Sequence, residues 1–555
     1  MNKSILKYTF LAVATSGLLI GCGGNSLNIV APPIENIDQR PLKVGELSET
    51  QAKNWKDLDL ATDTVPGMSV DRAYSELLTT TVNGKKVIRK GEPVIVAIID
   101  SGVDIDHEDL DGVIWTNEDE IPGNGKDDDN NGYIDDVHGW NFLGDIVDEN
   151  LEYERIVRDK AKLPAEVVAK AQKEYDEKVA EASQTKMVYE QILQQINQVD
   201  EVLVKFSGKE DYTEEDIEKA AKSDDPQVQQ SAAALKAYMG QGLESADQAR
   251  EQLTQLINDA TNLMNGEKLK TNYRMDILGD DPYVWDTGVY GNNEYSGPDP
   301  EKADAFHGTH VAGIVAAERD NGLGVNGVAN NAQIMVLRAV SQADEYDKDV
   351  AKAIRYAADN GAKVINTSFG KYHSPNSKWV YDAIKYAGSK DVLIVNAAGN
   401  EGIDTDFIQV YPQDQEGAGV NISENFLNVG ALGPVYGSKM VANFSNYGLS
   451  SVDVFAPGVA VYSTAPLNTY RNAGGTSMAS PATAGVAAVI RSQFPNLSAA
   501  QVKKVIMDSG LTTTIMVDLG RNDRGEPNDK KSFNEITVSG KMVNLYNALV
   551  LASKM

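Results

Sequence analysis

Cysteine is almost absent from this chain: Cys22 is the only one among 555 residues. A lone thiol has no internal partner, so no disulfide framework holds the fold together. Basic residues are scarce as well, 51 against 81 acidic ones, for a formal charge of -30. Such a chain repels phosphate backbones and anionic lipid, which excludes nucleic-acid binding and leaves solubility and cation binding as uses of the excess. Long hydrophobic runs are also lacking. The one near the N-terminus, through Phe10, Leu11, Ala12, Val13 and Leu18, is cut off by Gly21, Gly23 and Gly24 and is too short for an ordinary membrane span. What is present, 42% hydrophobic and 24% charged residues, suffices for one large core.

Lys3 and Lys7 ahead of that apolar run give it the form of a targeting segment, excluded from the fold. The run closes on Leu19-Ile20-Gly21-Cys22, which resembles a bacterial lipobox. The resemblance implies cleavage before Cys22 and lipidation of its thiol. The position of the sole cysteine, at the end of a signal-like run, supports the same reading. Two or three acyl chains anchor stably where one does not. The expected location is therefore the bacterial cell envelope, lipid-anchored on the extracytoplasmic side, on an outer membrane or a cell surface. Pro32, Pro33, Pro41 and Gly45 then mark a polar tether.

The first strong strand runs from Pro93 to Asp100, an unbroken apolar and β-branched stretch. Such a run predicts a strand buried on both faces, as in a parallel sheet. Similar stretches recur at Gln333 to Ala339, Lys363 to Thr367, Val392 to Asn396 and Phe426 to Gly430. Helical patterns at Asp349 to Asn360 and Trp379 to Ala387 alternate with them, so the expected fold is α/β, a doubly wound and mostly parallel sheet flanked by helices. One region departs from this pattern. From Ala165 to Ser207 there is neither Gly nor Pro, and apolar residues keep heptad spacing at Val168, Tyr175, Ala182, Tyr189, Ile196 and Leu203. A second seam follows at Ala246, Ala249, Leu253, Leu256, Ala260 and Leu263. Residues 151–270 are read as an inserted helical hairpin or small bundle, packed on itself.

Three short motifs carry chemistry. Ile99-Asp100-Ser101-Gly102 ends the first strand, His307-Gly308-Thr309-His310 opens a small-residue helix, and Gly475-Thr476-Ser477-Met478-Ala479-Ser480-Pro481 opens another. Serine is a weak nucleophile at its own pKa and needs an imidazole to take its proton, which a carboxylate in turn orients. The order Asp, His, Ser on these motifs resembles the subtilisin-like (subtilase) family, whose catalytic order it is. The resemblance implies a serine endopeptidase with Ser477 as nucleophile, His307 as general base and Asp100 as its orienting partner. It sets His310 and Ser480 aside as structural. Asn396-Ala397-Ala398-Gly399-Asn400 matches the family's oxyanion segment, with Asn400 as donor. Ser368-Phe369-Gly370, with Ala398 and Gly399, matches the segments that bind substrate backbone by β-augmentation. Gly370 is expected to leave the primary pocket open, with Glu401 near its floor.

Between Asp100 and His307 lies Asp127-Asp128-Asp129-Asn130-Asn131-Gly132-Tyr133-Ile134-Asp135-Asp136. Alternate oxygen-bearing residues ending in a glycine bend resemble the first half of an EF-hand loop. Asp127, Asp129, Asn131, Tyr133 and Asp135 are the expected ligands of a structural Ca²⁺, while the chemistry itself requires no cofactor. The chain thus divides into a removed signal peptide at 1–21 and a lipidated N-terminus, tether and arm at 22–92. Residues 93–150 and 271–555 form the two parts of a peptidase domain around the insertion at 151–270. The expected partners are protein or peptide substrates, a membrane through the N-terminal lipid, and a protein bound by the insertion. The competing reading is a catalytically silent surface lipoprotein that uses the insertion as a binding module.

Overall fold

The structure, a computed structural model, describes residues 37, 47–239, 245–416, 420–522 and 524–555. Cys22 and the proline-marked tether lie outside the described residues. No helix among the described residues is long and apolar enough to cross a membrane.

Nine strands form the central sheet: β1 (Val94–Asp100), β2 (Gly139–Asn141), β3 (Ala332–Arg338), β4 (Val364–Thr367), β5 (Leu393–Ala397), β6 (Phe426–Leu432), β7 (Val454–Pro457), β8 (Leu511–Thr512) and β9 (Lys541–Met542). Their order across the sheet is β8-β9-β7-β6-β5-β4-β1-β3-β2, and only the β8–β9 pair is antiparallel. The fold is therefore the α/β class that the alternation of strands and helices predicts. The apolar run of β1 serves both faces. Val94, Val96 and Ile98 enter one core with helices Phe306–Ala316 and Thr476–Gln493. Ala97 and Ile99 enter the other, with helices Asp347–Asp359 and Ser377–Ser389. This side-chain period of two is why a strand with no polar alternation is the right one for a doubly covered sheet.

The sheet order decides where the chemistry can lie. β5, β4 and β1 are adjacent and parallel, so the loops leaving Ala397, Thr367 and Asp100 emerge side by side at one edge. Open α/β sheets bind their ligands at such carboxyl ends.

From Glu49 onward the N-terminal arm is part of the body. Helix Glu49–Asn54 opens on a capping box between Ser48 and Gln51. Trp55, Met68 and Tyr74 then enter the same core as the helix of Ser477. The Trp55 indole donates to the Val459 carbonyl at 3.0 Å.

The long heptad stretch forms one helix, Ala165–Ser207, of 43 residues. Its two halves enter different cores. Ile196 and Leu203 join Ile217, Leu235 and Leu253 in a separate small core made with helices Glu214–Ala220, Pro226–Met239 and Ala246–Met264. Ala171, Val168 and Tyr175 pack instead on Tyr153, Ile156 and Val157 of the short helix Glu152–Arg158. That short helix is buried along most of its length and ion-paired into the sheet-bearing body through Glu152 and Lys371. The insertion is thus not packed on itself alone: its base is sealed into the body by charge, which apolar periodicity does not register.

Candidate active site

Asp100 is the last residue of β1 and is 1% exposed. Its Oδ1 accepts from the Ser101 backbone N–H at 2.7 Å and meets His307 Nδ1 at 2.7 Å. His307 stands in the first turn of helix Phe306–Ala316, which crosses closely over β1. Gly308 makes that approach possible, since a Cβ there would lie 2.1 Å from the Gly102 carbonyl oxygen. Burial disfavours the charged imidazole, but the Asp100 charge and hydrogen bond outweigh it and raise the His307 pKa above its ordinary value.

Ser477 lies in the first turn of helix Thr476–Gln493. The interior proline of this helix, Pro481, has no N–H to give the carbonyl four residues back, which is that of Ser477. Ser368, just past β4, takes the vacant place: its hydroxyl donates to the Ser477 carbonyl at 2.9 Å. The Ser477 hydroxyl in turn donates to the Ser368 carbonyl at 3.1 Å rather than to the imidazole. Before attack it must therefore rotate toward His307, an adjustment usual for a site without substrate. Asp100, His307 and Ser368 line one cavity of about 320 Å³, together with Asp304, Phe306 and Gln342.

Asn400 follows β5. Its Oδ1 accepts from the Thr476 backbone N–H at 2.8 Å and the Thr476 hydroxyl at 3.0 Å. This fixes the amide so that its NH₂ faces the other way. A methyl group built on Gly475 would sit 3.5 Å from the Ser477 nitrogen and 3.6 Å from both Nδ2 and Oδ1 of Asn400. The Ser477 N–H and the Asn400 amide thus border one small space at a helix N-terminus, a geometry suited to a developing oxyanion. Thr476 as the residue that orients Asn400 is not legible in the sequence, because nothing links positions 76 apart before the chain folds.

His310 and Ser480 are fully buried away from this chemistry. His310 Nε2 meets the Arg471 carbonyl at 3.0 Å, and burial lowers its pKa to about 4. Ser480 donates to Asn366 Oδ1 at 2.7 Å and to the Val395 carbonyl at 3.0 Å.

Three of the residues expected to bind substrate also have contacts within the protein. The Ala398 N–H is taken by the Val429 carbonyl and the Gly399 N–H by Thr476 Oγ1. The carbonyls of the two residues accept from Asn446, through its side chain and its backbone respectively. Both residues therefore hold the oxyanion loop in shape, Gly399 with a φ of 102° that favours glycine. Gly370 is the third: a Cβ on it would lie 3.2 Å from Val410 Cγ1 and from the Tyr411 carbonyl oxygen. Its bare side lets the Val410 loop approach closely. Phe369 and Gly370 remain unpaired with any strand among the described residues, from the end of β4 until Lys371 bridges to Tyr411. Glu401 is exposed and accepts from Asn446 Nδ2 at 2.8 Å.

The acidic loop gathers a set of oxygens that differs from the expected one. Carboxylate oxygens of Asp127, Asp129 and Glu120 lie within 4.8 Å of one another. Glu120 is 5% exposed, and its Oε2 has no hydrogen-bond partner while Oε1 accepts from the Asp128 and Asp129 N–H groups. A buried, unpartnered carboxylate oxygen beside two other acids fits a hard cation. Asp135 is turned away, both its oxygens accepting from the Asn124 and Gly125 N–H groups. The Asn131 side-chain carbonyl accepts from the Tyr133 N–H, which is loop bracing. Glu120 was missed because it precedes the motif by a chain turn that brings it back over the loop.

Arg338 ends β3 and is another residue that motif reading passes over. Its guanidinium donates to the carbonyls of Ser101, Gly144 and Ile146 and to Asn141 Oδ1, fixing the loops around the cavity. Burial without a paired carboxylate lowers its pKa to about 10.

The model of the subtilase family matches residues 91–534. This chain belongs to the subtilase family. Among curated members it is 44% identical over 191 residues to a thermophilic serine proteinase of Bacillus sp. (strain AK1), which covers 34% of this chain and 43% of that protein. It is 40% identical over 199 residues to subtilisin DY of Bacillus licheniformis, covering 36% and 67%. With thermitase of Thermoactinomyces vulgaris the identity is 38% over 188 residues, covering 34% and 61%. A protease from Pseudoalteromonas arctica, solved structurally, aligns with a TM-score of 0.35 at 30% identity, over 44% of this chain and 70% of its own.

Because Asp100 stabilises the charged ring, the His307 resonances are expected to titrate above 6.5 in an NMR pH series, and lower in Asp100→Asn. The pair contributes stability that is fully present below about pH 6.5 and is lost as pH rises through the folded value. An unchanged titration in Asp100→Asn would contradict this origin of the shift.

Proposed function

We propose that this chain is a serine endopeptidase that hydrolyses peptide bonds through an acyl-enzyme. The observation that supports the proposal is the Asp100–His307 pair in one cavity with Ser368, whose hydroxyl holds the Ser477 carbonyl, with Asn400 tied beside Ser477 through Thr476. Ser477 Oγ attacks the scissile carbonyl carbon while His307 takes its proton. The carbonyl oxygen becomes an oxyanion held by the Ser477 N–H and the Asn400 NH₂. As the intermediate collapses, the C–N bond breaks and the imidazolium returns the proton to the departing amine. Water then repeats the sequence on the acyl ester, with His307 again as base, and frees Ser477. Asp100 keeps the imidazole oriented and stabilises the imidazolium.

Two further parts of the proposal rest on other features. The lipobox ending at Cys22 supports a mature protein that starts at a lipidated cysteine and is held on the extracytoplasmic side of the cell envelope. The clustered oxygens of Glu120, Asp127 and Asp129 support a structural Ca²⁺ that would pin the loop between β1 and β2. Bound there, the ion would neutralise crowded carboxylates and take no part in bond breaking.

A fluorophosphonate probe is expected to label the wild type and not Ser477→Ala; no labelling of the folded wild type would favour a silent scaffold. Asn400→Ala is expected to retain labelling and lose roughly 10²–10³ in kcat, the range found for the comparable donor of subtilisin. Chelation with EDTA is expected to lower the Tm of the wild type and to leave Glu120→Gln, already weakened in calcium affinity, nearly unchanged. Equal Tm values with and without EDTA, and no calcium recovered by elemental analysis, would remove the ion from the proposal. Mass spectrometry of the protein from its membrane fraction is expected to show a diacylated N-terminal cysteine, and Cys22→Ser is expected to retain the signal peptide.

A further inference from the structure

The strand-free segment beside Ser477 is held at both ends. At its start, Ser368 exchanges two hydrogen bonds with Ser477. At its far end, Lys371, Tyr372 and His373 are held one after another by the insertion and its surroundings. Lys371 is 3% exposed. Its ammonium donates to Glu152 Oε2 at 2.7 Å and to the Glu345 carbonyl at 2.7 Å, and lies 2.9 Å from Asp347 Oδ1. The Tyr372 carbonyl accepts from Lys170 Nζ at 3.1 Å, and His373 Nε2 meets Glu174 Oε2 at 2.6 Å. Glu152 belongs to the first helix of the insertion, and Lys170 and Glu174 belong to its long helix.

These contacts differ in strength in a telling way. An exposed ion pair is readily replaced by water, whereas a buried ammonium cannot give up its carboxylates without stranding a charge. Lys371 is therefore a fixed point. Only Phe369 and Gly370 separate it from Ser368, which its two bonds to Ser477 hold in place, so a shift at Lys371 falls on those two residues. The bridge from Lys371 to Tyr411, with N–H to carbonyl distances of 2.9 Å in both directions, ties the same point to the loop that packs on Gly370.

We propose that the helical insertion is a brace for the substrate edge: through Glu152 on Lys371 and Glu174 on His373, it sets the position of Phe369–Gly370 relative to Ser477. Lys371 and His373 are positioning residues. They govern how an extended peptide lies along the edge, and they leave the bond-breaking groups untouched. The proposal rests on the peptidase reading above and on the 368–370 segment as the peptide-binding edge. It accounts for a 43-residue helix whose base meets the body next to the active site.

The test uses the full mature chain and two substrates. A small acyl ester reaches only Ser477 and the oxyanion donors, whereas a peptide amide with four residues before the scissile bond must also lie along the edge. Lys371→Met is expected to lower kcat/KM for the peptide by about tenfold or more, mainly through KM, while ester turnover stays within about twofold. Glu174→Gln, at a partly exposed position that folding tolerates, is expected to change the peptide alone, by about threefold. The second variant carries the test if the first does not fold. Equal losses on ester and peptide, or no loss on either, would overturn the brace. A folded wild type inert toward both ester and fluorophosphonate would overturn the peptidase reading and the brace with it.

Discussion

A 2.7 Å contact between Asp100 and His307 spans 207 residues of chain, and the rest of the architecture is arranged so that it can form. The strand of one residue and the helix of the other must meet closely, and everything between must leave and return at the same edge. The insertion meets that demand at a narrow neck. Asn150 Nδ2 donates to the Lys268 carbonyl at 2.9 Å and Arg158 donates to that of Thr271 at 2.7 Å. Closure entropy grows only with the logarithm of loop length. A long insertion with its own core is therefore tolerated here, provided that its ends are held together.

The same edge explains the distribution of charge. The excess of acid is not all solvated surface, because several acidic groups are spent inside the molecule on buried cations. Arg274 is fully buried and takes Asp349 in a two-pronged contact at 2.6 and 2.8 Å, with Asp280 on its third nitrogen. Lys348, equally buried, meets Asp280 and Asp286. Desolvating such ions is costly and is offset only by good geometry. These networks lie where residues 271–290 and the first helix of the insertion cover helix Asp347–Asp359. They favour one seating of residues 271–290 on that helix, since any slip would strand a charge.

Some of this was legible before folding. The strands of the central core announce themselves through unbroken β-branched runs, and β1, β3, β4 and β5 lie within a residue or so of where those runs place them. The long helix begins and ends where Pro164 and Gly208 predict a break. β2, β8 and β9 carry too few residues to show a period, and they exist only because a neighbouring strand offers them hydrogen bonds. The contacts of Thr476 with Asn400, Ser368 with Ser477 and Glu120 with the acidic loop share that character: each joins residues whose spacing in the chain carries no signal.

What the sequence determined by itself was the set of chemical groups and the order in which they come. A strand ending in Asp100, helices opening on His307 and Ser477, and an amide at Asn400 follow from local composition, because strand, helix start and turn are local physical preferences. Tertiary structure decided which of those groups meet and which are already occupied. Gly370 and Ala398 read as open contacts along the chain, yet one is packed on Val410 and the other is tied to Val429 and Asn446. It also decided that the insertion is seated against the active-site edge through Lys371. The reason is general to both outcomes: a hydrogen bond or ion pair depends on distance in space, and only the packing of the sheet sets that distance.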